Sequence, residues 1–307
     1  MVLAGVPAIL LAIPAAAAAQ APPRNDNYME AVQINAPGTR LISDVGDRQD
    51  TRSATVQTDL LSPPRSGGPP EDTRCDGASV GKTVWYDFYP DLVGLVRIRT
   101  SGYNSAVRVI PFNQADARPN SPEAFCSNDS DGSSEELLGR VRRGASYSVQ
   151  IGGVNGASGD LEFLFDFFPD ADADGVIDDA DRCRGLIGTE SNDGCPDQVK
   201  ASLSLRFVPA RRGLRLTEFG VRAPRGARVE VRCSRDCPRV SGRVRARVLS
   251  FRRLRNVTLR EGTTIEVRVA QGRLFGSHFR LTLRDGRFER VERCMNPRSR
   301  VPRRSCG

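Results

Sequence analysis

The chain of 307 residues carries 45 Lys and Arg against 37 Asp and Glu, with 39% hydrophobic and 27% charged residues. That balance excludes a disordered polyelectrolyte and suits two or three domains with ordinary packed cores. The net charge of +8 hides a division: residues from 200 onward hold 29 basic and 8 acidic side chains, a surplus of +21, which leaves −13 for the residues before them.

In chain order, residues 1–21 come first. "MVLAGVPAILLAIPAAAAAQA" is an apolar run followed by small residues, the pattern of a cleaved secretory signal. Pro7 and Pro14 interrupt it, so it would span a membrane poorly. No later segment approaches ~18 consecutive apolar residues, and no transmembrane helix is expected. Residues 62–74, "SPPRSGGPPEDTR", are too rich in Pro and Gly for regular structure and read as a loop.

Short alternating runs then follow. In "GLVRIRT", Val96 and Ile98 alternate with Leu95, Arg97 and Arg99. "YSVQI" places Tyr147, Val149 and Ile151 on one face, with Ser148 and Gln150 on the other. "LEFLFDFF" aligns Leu161, Phe163, Phe165 and Phe167. Period two over several short runs separated by Gly-rich turns predicts a β-sandwich over residues 22–168. Trp85, the single tryptophan, lies inside one such run beside Val84 and Tyr86 and is expected in the core.

Residues 169–183, "PDADADGVIDDADRC", concentrate negative charge beside a cysteine. Counted from Asp170, positions one, three and five are Asp170, Asp172 and Asp174. Gly175 is sixth, Val176 seventh with only its carbonyl to offer, Asp178 ninth and Asp181 twelfth. This is the ligand spacing of a calcium loop, in which alternate carboxylates turn inward as the chain curls round a hard cation. The twelfth residue is Asp rather than Glu and no amphipathic helix flanks the loop, so it is not an EF-hand.

From residue 200 to 307 strands return, now rich in arginine. In "GRVRARVL", Val244, Ala246 and Val248 are expected to face one way and Arg243, Arg245 and Arg247 the other. In "FRLTLR", Phe279, Leu281 and Leu283 oppose Arg280, Thr282 and Arg284. A second β-sandwich with an arginine-bearing outer face is predicted. The whole is therefore all-β, two sandwiches joined by an acidic connector. The arginines would suit phosphate or carboxylate, as on an anionic wall polymer or glycan; the favoured alternative is a solvated outer face that needs no partner. No recognition helix or aromatic interleaving supports specific nucleic-acid reading.

The eight cysteines fall in even clusters: Cys75 and Cys126, Cys183 and Cys195, then Cys233, Cys237, Cys294 and Cys306. This fits disulfides inside each domain and an oxidising compartment, with the connectivity of the last four left open. A four-thiolate zinc centre is the alternative for those four, but their spacing lacks the paired x2 of zinc ribbons. The only histidine, His278 in "FGSHFR", stands without a nucleophile motif, and no enzymatic activity is expected.

Three resemblances add to this reading. "NDNYMEA", "KTVWYDFYPDLVGLVRIRTSG", "CSNDSD" and "GRVRRGASYSVQIGGVNGASGDLEFLF" resemble bacterial pre-peptidase C-terminal domains. The family implies a small secreted sandwich with binding or accessory work. Some members hold calcium, which makes Asn128, Asp129 and Asp131 candidates for a second ion beside the plain reading of a polar turn. "DADADGVIDDADRC…DGCPD", within residues 169–197, resembles a thrombospondin type 3 repeat. That implies calcium on the aspartates and a Cys183–Cys195 disulfide; Arg184 stands where the repeat usually has Pro. "GVRAPRGARVEVRCSRDCP" and "RCMNPRSRVPRRSC" look like a C-terminal module of secreted proteins from high-GC bacteria, which implies no set activity. The expectation is a secreted, non-catalytic calcium-binding protein for binding or adhesion at the cell envelope, with the ion stiffening the connector. The alternative is an envelope-bound structural or protease-accessory protein without a specific ligand.

Overall fold

The computed structural model describes residues 20–57, 71–112, 125–128, 132–299 and 301–306. Residues 1–19 of the expected signal segment 1–21, most of the Pro-rich loop, Asp129 and Asp131 lie outside them. Among the described residues the chain is almost entirely β, with no α-helix and three short 3-10 turns. No helix is long and apolar enough to cross a membrane. The chain divides into two compact units, one of residues up to Asp91 with Val96–Phe167, the other of Leu92–Leu95 with residues from Phe168 onward.

The strands of the first unit are β1 (Val32–Gln33), β2 (Val45–Asp50), β3 (Arg74–Cys75), β4 (Ala78–Phe88), β5 (Gly94–Ser101), β6 (Ser105–Phe112), β7 (Phe125–Ser127), β8 (Ser134–Val141), β9 (Ser146–Val154) and β10 (Asp160–Pro169). One sheet runs β1-β4-β9-β6-β7 with β3 on β4, the other β2-β10-β5-β8. Period-two burial appears where the sequence alternates: Val96 and Ile98 of β5, and Leu161, Phe163 and Phe165 of β10, are all buried. The two sheets meet through aromatic rings. Tyr86 of β4 stacks on Phe163 of β10 with centroids 4.1 Å apart, and Phe88 lies 5.0 Å from Phe165.

The opposite face of β4 and β9 departs from the expected polar exterior. Ser148 and Gln150 are as buried as Tyr147, Val149 and Ile151. The cover comes from far along the chain. Gln150 Nε2 donates to Glu71 Oε1 at 2.8 Å and to the Asp72 carbonyl at 3.0 Å. Burial pushes the Glu71 carboxyl above its ordinary value. Beside it, Tyr28 meets Trp85 edge-on at 5.1 Å, and Asn25 exchanges hydrogen bonds with the Trp85 backbone. Trp85 is thus fully buried, under the N-terminal segment rather than between the sheets.

The second unit carries β11 (Ser202–Ala210), β12 (Gly213–Arg222), β13 (Arg228–Cys233), β14 (Val240–Arg243), β15 (Val248–Ser250), β16 (Thr258–Leu259), β17 (Thr264–Ala270), β18 (Gly276–Arg284), β19 (Arg287–Met295) and β20 (Pro302–Arg303). One sheet runs β11-β12-β15 with β16 on β12, the other β14-β13-β17-β18-β19-β20. Leu216, Phe219 and Val221 of β12 bury against Val229, Val231, Ile265, Val267, Phe279 and Leu281. Phe279, Leu281 and Leu283 face inward and Arg280 and Arg284 outward, as the alternation predicts.

"GRVRARVL" does not form one strand. β14 ends at Arg243, the chain crosses over, and β15 begins at Val248 in the other sheet. Val244 is buried, but Ala246 and Val248 are exposed. The reason is a tether: Val244 N donates to the Ala227 carbonyl at 2.9 Å, and Gly226 N donates to the Val244 carbonyl at 2.8 Å. These bonds hold Val244 at the corner and end the β14 ladder.

The arginine face is also less cationic than its sequence suggests. Register sets Glu230 opposite Arg268, Arg232 opposite Glu266, and Glu266 opposite Arg280. Glu230 accepts ion pairs from Arg232 at 3.1 Å and from Arg239. Cross-strand pairs of opposite charge support the sheet modestly. His278 lies in this face, 3% exposed, with neither ring nitrogen hydrogen-bonded. Burial, with Arg268, Arg293 and Arg280 nearby, pushes it below the ordinary histidine value against the pull of Glu266.

Four cysteine pairs stand at disulfide distance: Cys75–Cys126, Cys183–Cys195, Cys233–Cys237 and Cys294–Cys306. Each joins residues within one unit. The last four cysteines pair within 233–237 and within 294–306, which replaces the four-thiolate zinc alternative with two bridges.

Candidate metal centre

The acidic stretch begins where β10 ends. Asp178 N donates to the Pro169 carbonyl at 2.7 Å, closing the loop on its own start. Ala173 and Gly175 take the left-handed backbone conformation, with φ of 60° and 102°. For Gly175 this conformation has no Cβ penalty, which accounts for glycine at the sixth position. Asp181 N donates to the Ile177 carbonyl, making a single helical turn before the chain reverses.

This folding brings Asp170, Asp172 and Asp174 together, with one carboxylate oxygen of each within 4.8 Å of the others. Backbone donors fix two of the three. Asp170 accepts from Asp174 N at 3.2 Å and Gly175 N at 3.0 Å. Asp174 accepts from Val176 N at 2.9 Å and Gly188 N at 2.8 Å. Asp172 differs: both its carboxylate oxygens are buried without a hydrogen-bond partner. Val176 turns its side chain inward and is buried. Asp178 and Asp181 both stand outside the tight triple; Asp178 accepts from Ala171 N at 2.9 Å. Asp181, 6% exposed, accepts from Cys183 N at 2.6 Å through Oδ1, while its Oδ2 is buried without a partner.

Burial, then repulsion from Asp174, Asp181 and Asp170, pushes the Asp172 carboxyl above its ordinary value against the opposing pull of the nearby Asp174 N–H. Burial also raises Asp181, assisted by Asp174, Asp178 and Asp170 and opposed by the Cys183 N–H. The carboxylates therefore feel one another as a single negative site. Unsatisfied buried carboxylate oxygens are costly unless a cation meets them. The donor set is all oxygen, which suits a hard ion such as calcium with six to eight ligands and disfavours the tighter octahedron of magnesium.

Residues 188 and 194, beyond the aspartates, also shape this centre, and the aspartate spacing does not announce it. Gly188 supplies the N–H to Asp174. Gly194, at φ 74°, lies so close to Asp181 that a Cβ would overlap its carboxylate. Gly194→Ala should cost about 1–3 kcal/mol through backbone strain and displacement of Asp181. It should also weaken calcium uptake, and a calcium titration paired with thermal unfolding checks both.

No family model and no curated protein matches this chain.

Other candidates carry less. Cys75, Asp76 and Cys126 lie within ligand distance, but the two sulfurs are joined and offer no thiolate. Asn128 is half-buried at the end of β7, while Asp129 and Asp131 fall outside the described residues. His278 has no hydroxyl or thiol hydrogen-bonded to it.

Proposed function

We propose that residues 169–197 form a calcium-binding repeat of thrombospondin type 3 character. We further propose that the chain is a secreted, non-catalytic binding or adhesion protein of the cell envelope, with two β-sandwiches flanking the repeat. The observation that carries the calcium reading is Asp172, whose two buried oxygens have no partner. Asp170, Asp172, Asp174, Asp178, Asp181 and the Val176 carbonyl would hold the ion.

Calcium would act by rigidifying the connector. The repeat is anchored to the second unit: Cys183, Cys195 and Leu186 pack on Phe275, and Phe275 N donates to the Asp197 carbonyl at 2.9 Å. What remains to be ordered is the aspartate loop itself, where like charges repel. Four cysteine bridges, each within one unit, fit an oxidising, extracellular setting. The glutamates interleaved with the outer-face arginines favour, for that face alone, the reading of a solvated structural surface without a ligand.

Calorimetric titration of the oxidised protein should give one calcium per chain in the ~0.1–1 mM range common to extracellular modules. Hydrogen exchange should slow across residues 170–195 when calcium is added. No heat at millimolar calcium, with unchanged exchange, would reject the reading.

A further inference from the structure

One cleft of the second unit differs from the rest of the arginine-rich surface. It is an open concavity of about 620 Å³ between residues 181–186 and the C-terminal tail. Arg182 and Arg184 line it from the repeat, Arg298 and Arg303 from the tail, and all four are exposed. Phe275 forms part of its floor, flanked by the Cys183–Cys195 bridge and by Cys306. The single carboxylate in the lining is Asp181.

The charges here are not neutralised in the manner of the sheet face. Arg182 and Arg184 make loose, solvent-exposed pairs with Asp193 at 3.6 Å and Asp179 at 3.5 Å. Among the described residues, Arg298 and Arg303 pair with no carboxylate. Exposed pairs of this kind open readily to a better acceptor. Two chain segments more than a hundred residues apart thus converge four guanidinium groups on one concavity. Such groups match tetrahedral oxyanions by paired N–H donors. The only aromatic side chain in the lining, Phe275, is 4% exposed and offers no stacking platform for bases.

We infer that this cleft binds a flexible polyanion bearing phosphate-diester or sulfate-ester groups, and that calcium in the neighbouring loop strengthens the binding. This rests on the calcium reading, in which Asp181, a residue of the cleft wall, is also a proposed ligand outside the tight triple of Asp170, Asp172 and Asp174. Without the ion, five clustered aspartates repel an arriving anion. A bound divalent cation would offset two of those charges, and the unpartnered Asp181 Oδ2 would be available to it. Linkage requires the polyanion to raise calcium affinity by the same factor.

The test uses the full oxidised chain, with a short poly(glycerol phosphate), a sulfated dextran and an uncharged dextran, each at fixed free calcium and again with chelator. At least one charged polymer should bind, the uncharged one should not, and the arm that binds identifies the ester. Arg298→Ser with Arg303→Ser should weaken binding roughly tenfold or more while leaving the calcium titration unchanged. Chelator, or Asp172→Ala, should weaken it roughly fivefold. Binding of neither polymer, or full binding by the arginine variant, overturns the cleft assignment and leaves the calcium reading intact. Equal polymer affinity with and without bound calcium overturns the coupling. A flat calcium titration beside arginine-dependent polymer binding rejects the calcium reading and keeps the cleft.

Discussion

Asp172→Ala should abolish calcium uptake and, in the presence of chelator, make the protein more stable than the wild type. Both effects have one cause. Asp172 keeps two buried carboxylate oxygens without a well-formed hydrogen bond, near Asp170, Asp174 and Asp181, whose repulsion adds to burial and outweighs the Asp174 N–H. An acid whose folded pKa is raised destabilises the fold at neutral pH, so its removal relieves the metal-free state. The same removal takes the least encumbered ligand from the site. Wild type at a hundredfold excess of calcium over its Kd should gain about 2.7 kcal/mol, and the variant should gain nothing. Scanning calorimetry on four samples, each protein with calcium and with chelator, measures the whole cycle. If Asp172→Ala is less stable than wild type in chelator and still shifts with calcium, the centre is not built as described.

Phe163→Ala should destabilise the first unit by about 3–5 kcal/mol, a large share of the stability of an ordinary domain. Phe163 is 1% exposed and lies nearly parallel to Tyr86, with an interplanar angle of 8°. Its loss removes the buried ring and the stacked contact, and it loosens the seat of Tyr86. The Tyr86 hydroxyl donates to Asp47 Oδ2 at 2.9 Å and accepts from Gln49 Nε2 at 2.8 Å. A cavity that lets Tyr86 tilt would therefore also disturb a polar pair on β2. Phe163→Leu keeps most of the volume and should cost less than about 1.5 kcal/mol. Urea unfolding followed by far-ultraviolet circular dichroism separates the two variants. Equal midpoints would mean that the sheets do not depend on this contact.

What the sequence makes legible is what neighbours decide. The alternation in Leu161–Phe165 and in Phe279–Leu283 appears as buried and exposed faces because each residue's environment is set by its own strand. Ser148 and Gln150 alternate just as clearly, yet both are buried. Their cover comes from residues near 25–31 and 71–72, too distant in sequence for any local pattern to record. The run at Arg243–Val248 looks like a strand because nothing in its composition breaks it. The break lies in hydrogen bonds to Gly226 and Ala227, which only the folded chain brings near.

The candidate centre divides the same way. Asp170, Asp172, Asp174 and Gly175 could be read by counting, since a loop that curls on itself keeps ligand order in sequence order. That Asp172 lacks partners while Asp170 and Asp174 are held by backbone donors could not, nor could the approach of Gly194 to Asp181. The four-arginine cleft was hidden more deeply. Arg182 and Arg184 sit in an acidic stretch, and Arg298 and Arg303 in a tail where arginine is common.

The placement of Trp85 has a practical result. The chain has one indole, it lies in the first unit, and the N-terminal segment covers it. Intrinsic fluorescence excited at the indole band therefore reports from that unit and the N-terminal segment over it, while the unit that holds the aspartates contains no indole. The molecule comes with an optical label on one half only, so that half can be followed while the other is titrated.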